Sequence, residues 1–268
     1  MDTQIKEVQE ENQLVEVRDS RLVVKHNKLI EFRGQMTTNE LKLLGLIIVN
    51  VREEQKKQFE EYHIDISALK DNTKHKDFYN YIKDVALRLE DKKIIVESIN
   101  DENKRSFTTI RLINKPRYIE GSDKLVVNID KDLIPYIINL KKEFTRYQIE
   151  NILRLRSSYS VRIYELLKQY ENIGVRDIDV KDLREYLGIE KNQYKRFYDF
   201  ERRALKPAEE EINEHTDIIF TYAKLKKGRK IKTIRFFIEP KFVDEYKKLL
   251  DECYDIKDIK KAVGLENE

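Results

Sequence analysis

The residues of this chain that are best suited to chemistry are cations, and they are concentrated in two segments. One is a turn that reads Lys226-Lys227-Gly228-Arg229-Lys230. The other is a predicted helix over 193–215, whose first half carries five cations: Lys195, Arg196, Arg202, Arg203 and Lys206. Lysine and arginine bind phosphates, and arginine also forms paired hydrogen bonds with guanine. The two clusters therefore predict a surface that binds nucleic acid.

Helical periodicity divides the predicted helix into two faces. Its apolar residues recur on one side at about 100° per residue, which assigns them to the core. They are Phe197, Phe200, Ala204, Ala208 and Ile212. The cations lie on the opposite face or its flank. Pro207 is expected to kink the helix, and beyond it the exposed face turns acidic at Glu209, Glu210 and Glu211. The basic half is the part expected to enter a DNA groove; the alternative is a solvated charged face.

The basic turn belongs to a β-hairpin that occurs twice. Residues 94–113 align without a gap with residues 218–237, so that Thr109-Ile110-Arg111 matches Thr233-Ile234-Arg235. The turn of the first copy, residues 100–105, is close to neutral. A duplicated unit with one basic copy predicts two related modules, of which the second is specialised for a polyanion. A merely solubilising turn is the alternative.

The elements around each hairpin follow the same order. A capping box at Thr37-Thr38-Asn39-Glu40 opens a helix, and a further helix over 76–91 precedes strands near 93–98, 106–119 and 124–129. A helix near 131–140 is expected to end the first module. The second module has predicted helices over 159–170, 180–187 (stopped at Gly188) and 193–215, then the basic hairpin. Three helices followed by a hairpin predict an α+β fold of tandem winged-helix domains.

Charge and composition support a division into five segments. These are a flexible acidic arm (1–20), an N-terminal winged-helix domain (21–140), a connecting segment (141–152), a C-terminal winged-helix domain as the main DNA reader (153–240), and a C-terminal helix and tail (241–268). Formal charge is −1 over residues 1–140, +6 over 141–240 and −2 over 241–268, which gives the total of +3. In the first module, Lys74 and Lys76 are candidates for auxiliary DNA contact, and a protein-interaction role is an equal alternative.

Residue patterns typical of enzymes are missing. The four histidines (His26, His63, His75 and His215) have no metal-ligand spacing, and no glycine is followed by lysine as in a phosphate-binding loop. The pair Asp177-x-Asp179 is expected to cap a helix. We therefore predict no enzyme, no metal and no cofactor. A single cysteine fits a reducing cytoplasm, and no apolar run suggests a membrane span.

Residues 153–170, which read LRLRSSYSVRIYELLKQY, resemble a hallmark of one family. It is the family of iteron-binding replication initiators of theta-replicating bacterial plasmids. Further similarities are at 23–30, at Glu211-Ile212-Asn213 with Thr216-Asp217-Ile218, and at Lys227-Gly228-Arg229-Lys230 before Ile234-Arg235-Phe236. The similarity covers residues 21–240.

The resemblance implies a DNA-binding protein of the bacterial cytoplasm with two winged-helix domains. Monomers of such proteins bind directly repeated origin sequences (iterons), and host replication proteins such as the replicative helicase are recruited. A dimer made through the N-terminal domain binds an operator and represses the initiator's own gene. Carried over by position, Arg154, Arg156, Ser157 and Ser158 are expected to hold phosphates through side chains and helix N-terminal amides. The alternative is a linker packed on the domain by Leu153 and Leu155.

Three other functions remain open from the residues alone. The nearest is a winged-helix transcriptional repressor without a role in replication, which shares every physical feature described above. A nicking or strand-transfer enzyme and an interaction scaffold with a basic wing are more distant. Only the similarity at 153–170 separates an initiator from the repressor.

Overall fold

A computed structural model of the chain describes residues 21–53, 61–72, 77–99 and 103–241. The first module contains β1 (Leu22–His26), α1 (Asn27–Ile30), α2 (Thr38–Glu53), β2 (Glu61–Asp65), α3 (Ser67–Asn72), α4 (Phe78–Glu90), β3 (Lys93–Ile99), β4 (Arg105–Arg111), β5 (Asn114–Tyr118) and β6 (Lys124–Asn128). The expected arm 1–20, the candidates Lys74 and Lys76, and most of the tail 241–268 lie outside the described residues.

The rest of the described chain forms the connection and the second module. Its elements are β7 (Phe144–Gln148), α5 (Ile149–Arg154), α6 (Ser158–Lys168), β8 (Val175–Asp179), α7 (Val180–Tyr186), α8 (Phe197–Phe200), a π-helical segment (Glu201–Leu205), α9 (Lys206–His215), β9 (Ile218–Lys227) and β10 (Lys230–Pro240). Helices α6 and α7, the continuous helix 197–215 and the hairpin β9–β10 follow one another as in a winged helix. Among the described residues, no helix is long and apolar enough to cross a membrane.

Helix α2 begins at the capping box that the sequence predicts. The Glu40 amide donates to Thr37 Oγ1 (3.3 Å), and the Thr37 amide donates to Glu40 Oε2 (3.0 Å). These reciprocal bonds satisfy two amides at the helix start that have no partner within the helix. The apolar residues of this helix that recur at helical spacing are all buried, which places this face in the core: Leu41, Leu44, Ile47, Ile48 and Val51.

The helix predicted near 131–140 is wrong. The structure has only a short 3-10 turn there, Ile134–Tyr136. Pro135 lies in this turn and has no amide hydrogen to donate, and Asn139 has φ +55°. Both features oppose a continuing α-helix, because a left-handed residue ends the regular hydrogen-bond ladder.

The two hairpins, which we call the first wing (β3–β4) and the second wing (β9–β10), differ in how they pair. In the first wing, Ile99 pairs with Arg105, so five residues form the loop. In the second, Lys227 pairs with Lys230, so two residues form the turn. The shorter turn shifts the register, and the gapless alignment of the sequences does not hold in space. The second wing also joins β8 in one sheet, whereas β3 and β4 form a sheet of two strands.

The two predicted modules are joined by buried contacts, which we call the seam. Strand β7 pairs with β1, so the predicted connector 141–152 contains a strand and the start of α5. At the seam, Lys25 of β1 and Glu165 of α6 form a buried ion pair. Burial lowers the pKa of Lys25, and the Glu165 charge counters part of that effect. The core therefore runs from one module into the other.

Candidate nucleic-acid interface

The helix predicted over 193–215 begins at Phe197, four residues later than expected. The side chain of Arg184 explains the difference, since it donates to the backbone oxygen of Tyr194 (3.1 Å). Tyr194 has φ +49°, a left-handed conformation that a regular helix does not contain. Two cations predicted on the helix therefore precede it, in exposed positions: Lys195 and Arg196.

The kink expected at Pro207 takes the form of a π-helical segment, Glu201–Leu205. Proline lacks the amide hydrogen of a regular helical turn, and its ring collides with the carbonyl four residues earlier. A wider turn just before it is one way for a helix to accommodate this. The buried face survives the change, because Phe200, Ala204, Ala208 and Ile212 are almost fully buried, as predicted. Phe197 is half-buried and packs beside them.

The opposite face of this helix presents three exposed cations from its first half: Arg202, Arg203 and Lys206. Among the described residues, none of the three has an ion-pair partner. Arg202 lies over the ring of Tyr198 at 5.9 Å from the ring centre, and Tyr198 is 65% exposed. Arg196, in contrast, is paired with Asp199 (2.9 Å). The free cations therefore start one turn into the helix rather than at its first residue.

Glu201 connects this helix to the second wing. Its Oε1 accepts hydrogen bonds from Tyr222 Oη (3.0 Å) and Lys224 Nζ (2.9 Å), both on β9. Burial alone would raise the pKa of Glu201, but the bonds from Lys224 and Tyr222 lower it overall. The carboxylate is thus held ionised between the two elements. It aligns the cationic helix face with the hairpin, so that both belong to one surface.

The tip of the second wing carries unpaired positive charge. The turn has Gly228 at its first central position with φ +64°, as a type II′ hairpin turn requires. Four exposed cations surround it: Lys226, Lys227, Arg229 and Lys230. In the described part of the chain, none of these four side chains has an ion-pair or hydrogen-bond partner. They are free to bind an anionic ligand.

The base of the second wing, by which we mean β10 beyond Lys230, has its cations neutralised. Arg235 makes two hydrogen bonds with the Asp177 carboxylate (2.8 and 2.7 Å), and Lys232 pairs with Asp179 (2.8 Å). The predicted capping role of these aspartates is wrong, since Asp179 makes no side-chain cap bond to α7. The Arg235 guanidinium lowers the pKa of Asp177. The wing therefore has a neutralised base and a cationic tip.

The segment 153–158 runs from the end of α5 to the first residue of α6 and combines both predicted roles. Leu153 and Leu155 are buried, as expected for packing, while the side chains of Arg154 and Arg156 are exposed and unpaired among the described residues. Ser157 is the N-cap of α6 and accepts a hydrogen bond from the amide two residues later (3.1 Å), and Ser158 is the first residue of the helix.

Two of the amides beside the start of α6 already have a carboxylate partner. The Arg156 amide donates to Glu211 Oε1, and the Ser157 amide donates to Glu211 Oε2 (3.3 Å). Glu211 was expected on the exposed acidic face of its helix, and the structure instead directs it at this segment. A carboxylate at a helix N-terminus is favoured by the helix dipole. Glu211 therefore competes with a phosphate for the Arg156 and Ser157 amides, while the side chains of Arg154, Arg156 and Ser158 stay candidates for phosphate contact.

The corresponding helix of the first module, α4, has one cation without an ion-pair partner among the described residues, Lys83, where the later helix has three. Lys83 lies over the ring of Tyr79 (6.0 Å), and Arg88 is paired with Asp84 (3.0 Å). Asp77 caps the helix by accepting from the Asn80 amide (3.0 Å), so its negative charge stays at the start. The face that corresponds to the cationic face of the second module is therefore mixed.

Three residues of the site have roles that sequence reasoning missed: Tyr198, Glu201 and Glu211. Tyr198 stacks with Arg202, and a signal for it existed, because Phe78-Tyr79 of the first module mirrors Phe197-Tyr198. Both tyrosines are exposed beside a cation. Glu211 lies in a segment of the family resemblance, but its role had no local signal, since its partners lie 54 and 55 residues earlier in the chain.

Two family models match this chain in succession. The first, Initiator Replication protein, WH1, covers residues 22–168, and the second, Initiator Rep protein, WH2, covers residues 179–238. The chain belongs to this initiator replication protein family. The first match runs through α6, beyond the boundary predicted at residue 152; the division into domains stays a prediction.

Two relatives from Escherichia coli are similar in sequence to part of this chain. The chain is 28% identical over 123 residues to a replication initiation protein of Escherichia coli, and 31% identical over 144 residues to the PI protein of Escherichia coli. The alignments cover 44% and 47% of this chain, and the chain spans less than half of those relatives, 38% and 47%. A crystal structure of the Pi initiator protein in complex with iteron DNA has a TM-score of 0.59 at 23% identity. That match covers 82% of this chain and 98% of the other.

The residues near 211–217 that resemble the family fasten the cationic helix and β9 to their neighbours. Asn213 bonds both backbone groups of Phe220 (2.9 and 2.8 Å), which fastens α9 to β9. Asp217 accepts from Tyr164 Oη (2.8 Å) and Lys168 Nζ (2.8 Å), which fastens the start of β9 to α6. The segment that resembles the family hallmark thus forms the frame that holds the cationic helix in place.

Proposed function

We propose that this protein initiates plasmid replication by binding directly repeated origin sequences. The observation that carries the proposal is the surface shared by the helix 197–215 and the tip of the second wing, where seven unpaired cations lie on a winged-helix frame. In a winged helix, the third helix enters the major groove and the wing contacts the backbone. Arg202 and Lys206 are assigned to bases, and the wing tip to phosphates.

Arg154, Arg156 and Ser158 extend this surface at the start of α6. Their side chains are assigned to phosphates, together with Arg203 and with Lys195 in the turn before the helix. About 6–8 phosphate contacts imply a log–log salt slope of about −5 to −7. Two modules on one face of a duplex imply a monomer site of about 20 bp, or two helical turns.

The first wing is assigned to self-association. Ile95 and Phe107 are 63% and 72% exposed, and both lie on the same face of the hairpin, because Ile95 pairs with Thr109 two residues from Phe107. Exposed apolar side chains on one face are typical of a protein contact. A dimer formed there binds an operator and represses the protein's own gene.

Initiation in this proposal requires binding and DNA deformation rather than bond cleavage. Bending or opening a site costs energy that depends on its sequence, and protein contacts repay it. Host replication proteins, including the replicative helicase, are the partners expected at the opened origin. The protein is assigned to the bacterial cytoplasm, on plasmid DNA.

Footprinting of the purified protein on DNA that flanks its gene tests this proposal. Regularly spaced protection of direct repeats, each about two helical turns long, is the expected result. Protection of a single inverted repeat over the promoter would favour the second candidate, a repressor without a role in replication. No protection at near-physiological salt would overturn both.

A replication assay separates these two candidates directly. A small plasmid that carries the protected repeats should be maintained in bacteria only when the protein is supplied from a second replicon. Relaxation of supercoiled repeat DNA by the protein and a divalent cation would instead indicate a nicking enzyme, and so would a covalent tyrosine–DNA adduct.

A further inference from the structure

The peptide that joins α5 to α6 makes hydrogen bonds with side chains of both modules. From the first module, Lys42 Nζ donates to the Leu153 carbonyl (2.7 Å), and Thr38 Oγ1 donates to the Arg156 carbonyl (3.0 Å). From the second module, the Glu211 carboxylate accepts from the amides of Arg156 and Ser157. Donors of one module and an acceptor of the other thus hold the same few peptide groups.

The charges of Lys42 and Glu211, which bind this peptide from the two modules, interact with each other. Burial lowers the pKa of Lys42, and the charge of Glu211 counters that effect, so the two side chains interact across the peptide. The N-terminus of α6 carries partial positive charge, which further favours the Glu211 carboxylate. Glu211 is half-buried, and its bonds are therefore less screened by solvent than those of a surface ion pair.

Glu211 is also rigidly connected to the cationic helix face. It lies five residues after Lys206 on the same helix, about 7.5 Å along the axis. Its neighbour Ile212 is fully buried, so this part of the helix moves together with the core of the second module. A displacement of the helix at Glu211 is therefore transmitted to Lys206 and Arg202.

We infer that Glu211 is a positioning residue that fixes the orientation of the DNA-reading helix relative to the first module, and thereby the spacing of the DNA contacts that the two modules make. This inference rests on the proposed function, since it requires that both modules contact one site. Its physical basis is that the Glu211 carboxylate accepts hydrogen bonds from the amides of residues 156 and 157. Thr38 and Lys42 of the first module donate to carbonyl groups of the same segment. Without that carboxylate, the helix keeps its cations but not their alignment with the first module.

The test is binding to duplexes with altered spacing. The duplexes carry the site found by footprinting, with one base pair inserted or deleted at its centre, which moves the two halves by about 3.4 Å and about 35°. The wild-type protein should bind both altered duplexes about 10-fold more weakly than the natural one, a loss similar to that of a mismatched base pair. Glu211→Gln and Glu211→Ala should bind the natural site more weakly, yet lose less than about 3-fold further on the altered duplexes.

Two variants make the result specific. Glu210→Gln removes the same charge from the exposed neighbouring position and should keep wild-type spacing preference. Glu211→Asp keeps a carboxylate and should restore part of the preference. Thermal unfolding of each variant identifies a folding defect, which would lower binding equally on all spacings.

The outcomes are distinguishable. A uniform loss on all three duplexes by Glu211→Gln and Glu211→Ala, in protein that unfolds at the wild-type temperature, would overturn the inference and leave the proposed function intact. Loss of spacing preference in Glu210→Gln would also overturn it, because charge rather than the hydrogen bonds of Glu211 would then be responsible. If the wild-type protein binds none of the duplexes, the proposed function fails, and the inference fails with it.

Discussion

The two wings occupy corresponding places in the chain and differ in turn length, register and surface. The first has a five-residue loop and exposes Ile95 and Phe107 on one face. The second turns in two residues at Gly228 and surrounds that turn with unpaired cations. A short turn brings the flanking side chains together at the tip, where they protrude from the domain. The same hairpin has thus become apolar in one module and cationic in the other.

The helices that precede the wings differ in a parallel way. The second module leaves Arg202, Arg203 and Lys206 without ion-pair partners in the described part of the chain, whereas α4 pairs Arg88 with Asp84. Both helices keep an exposed tyrosine beside a cation, Tyr198 and Tyr79. The modules therefore differ both in the number of cations on this helix and in their pairing, since α4 leaves only Lys83 without an ion-pair partner in the described part of the chain.

Replacing Arg202 and Lys206 together with alanine is the strongest test of this difference. Specific binding should fall by at least about 100-fold, because a good base contact contributes about 1–3 kcal/mol of discrimination. Binding to random DNA should fall much less, as measured by titration of both duplexes. Lys83→Ala on the corresponding helix α4 should change specific binding by less than about 2-fold. Equal losses on specific and random DNA would show that the helix does not read bases.

Replacing the exposed apolar residues of the first wing with lysine should weaken self-association and leave DNA binding by the monomer nearly unchanged. The double variant Ile95→Lys with Phe107→Lys should weaken the dimer by at least about 10-fold, because it removes exposed apolar area and adds like charges. Analytical ultracentrifugation measures this change. Binding of the monomer to a single repeat should stay within about 3-fold of wild type. An unchanged dimer would place self-association elsewhere.

Removing charge from the tip of the second wing should act on all DNA sequences alike. Lys227→Ala with Arg229→Ala should lower affinity by roughly 10-fold and reduce the magnitude of the salt slope by about 2, since each lost phosphate contact contributes about 0.9. Affinity measured over a range of salt concentrations gives this slope. Lys224→Ala, at a cation already paired with Glu201, is the matched comparison and should change the slope less.

Freeing the paired cations at the base of the second wing should have the smallest effect, and of opposite sign. Asp177→Asn with Asp179→Asn releases Arg235 and Lys232, so DNA affinity should rise by about 2- to 3-fold and the salt slope should steepen. Glu190→Gln, which removes a charge from an exposed position of the same module, is the control. A fall in affinity would mean that the aspartates hold the wing in its binding shape.

Sequence periodicity was sufficient for the features that depend on neighbours in the chain. The buried face at Phe200, Ala204 and Ile212, the capping box at Thr37 and the stop at Gly188 each follow from a local rule. The four cations at the wing tip are also local, because a two-residue turn exposes its flanks. Together these features gave the α+β winged-helix fold and the basic surface.

Long-range partners account for what the sequence did not reveal. Arg184 delays the start of the helix by holding the backbone before Phe197, and Glu211 is drawn from the exposed face by amides more than 50 residues away. Asp177 binds Arg235 across the sheet instead of capping α7. In each case a charged side chain finds a partner that only the tertiary structure brings near.

The buried pair of Lys25 and Glu165 has a consequence for the ancestry of the chain. It joins strand β1 to helix α6, which the predicted division places in the second winged helix and the first family match places with the first. A charge left in such an interior without its partner destabilises a protein by about 3–5 kcal/mol. Although the repeated hairpin suggests duplication, a recombination that separated β1 from α6 would leave one charge of this pair buried without its partner. The two halves are therefore expected to be inherited, and to melt, as one cooperative unit.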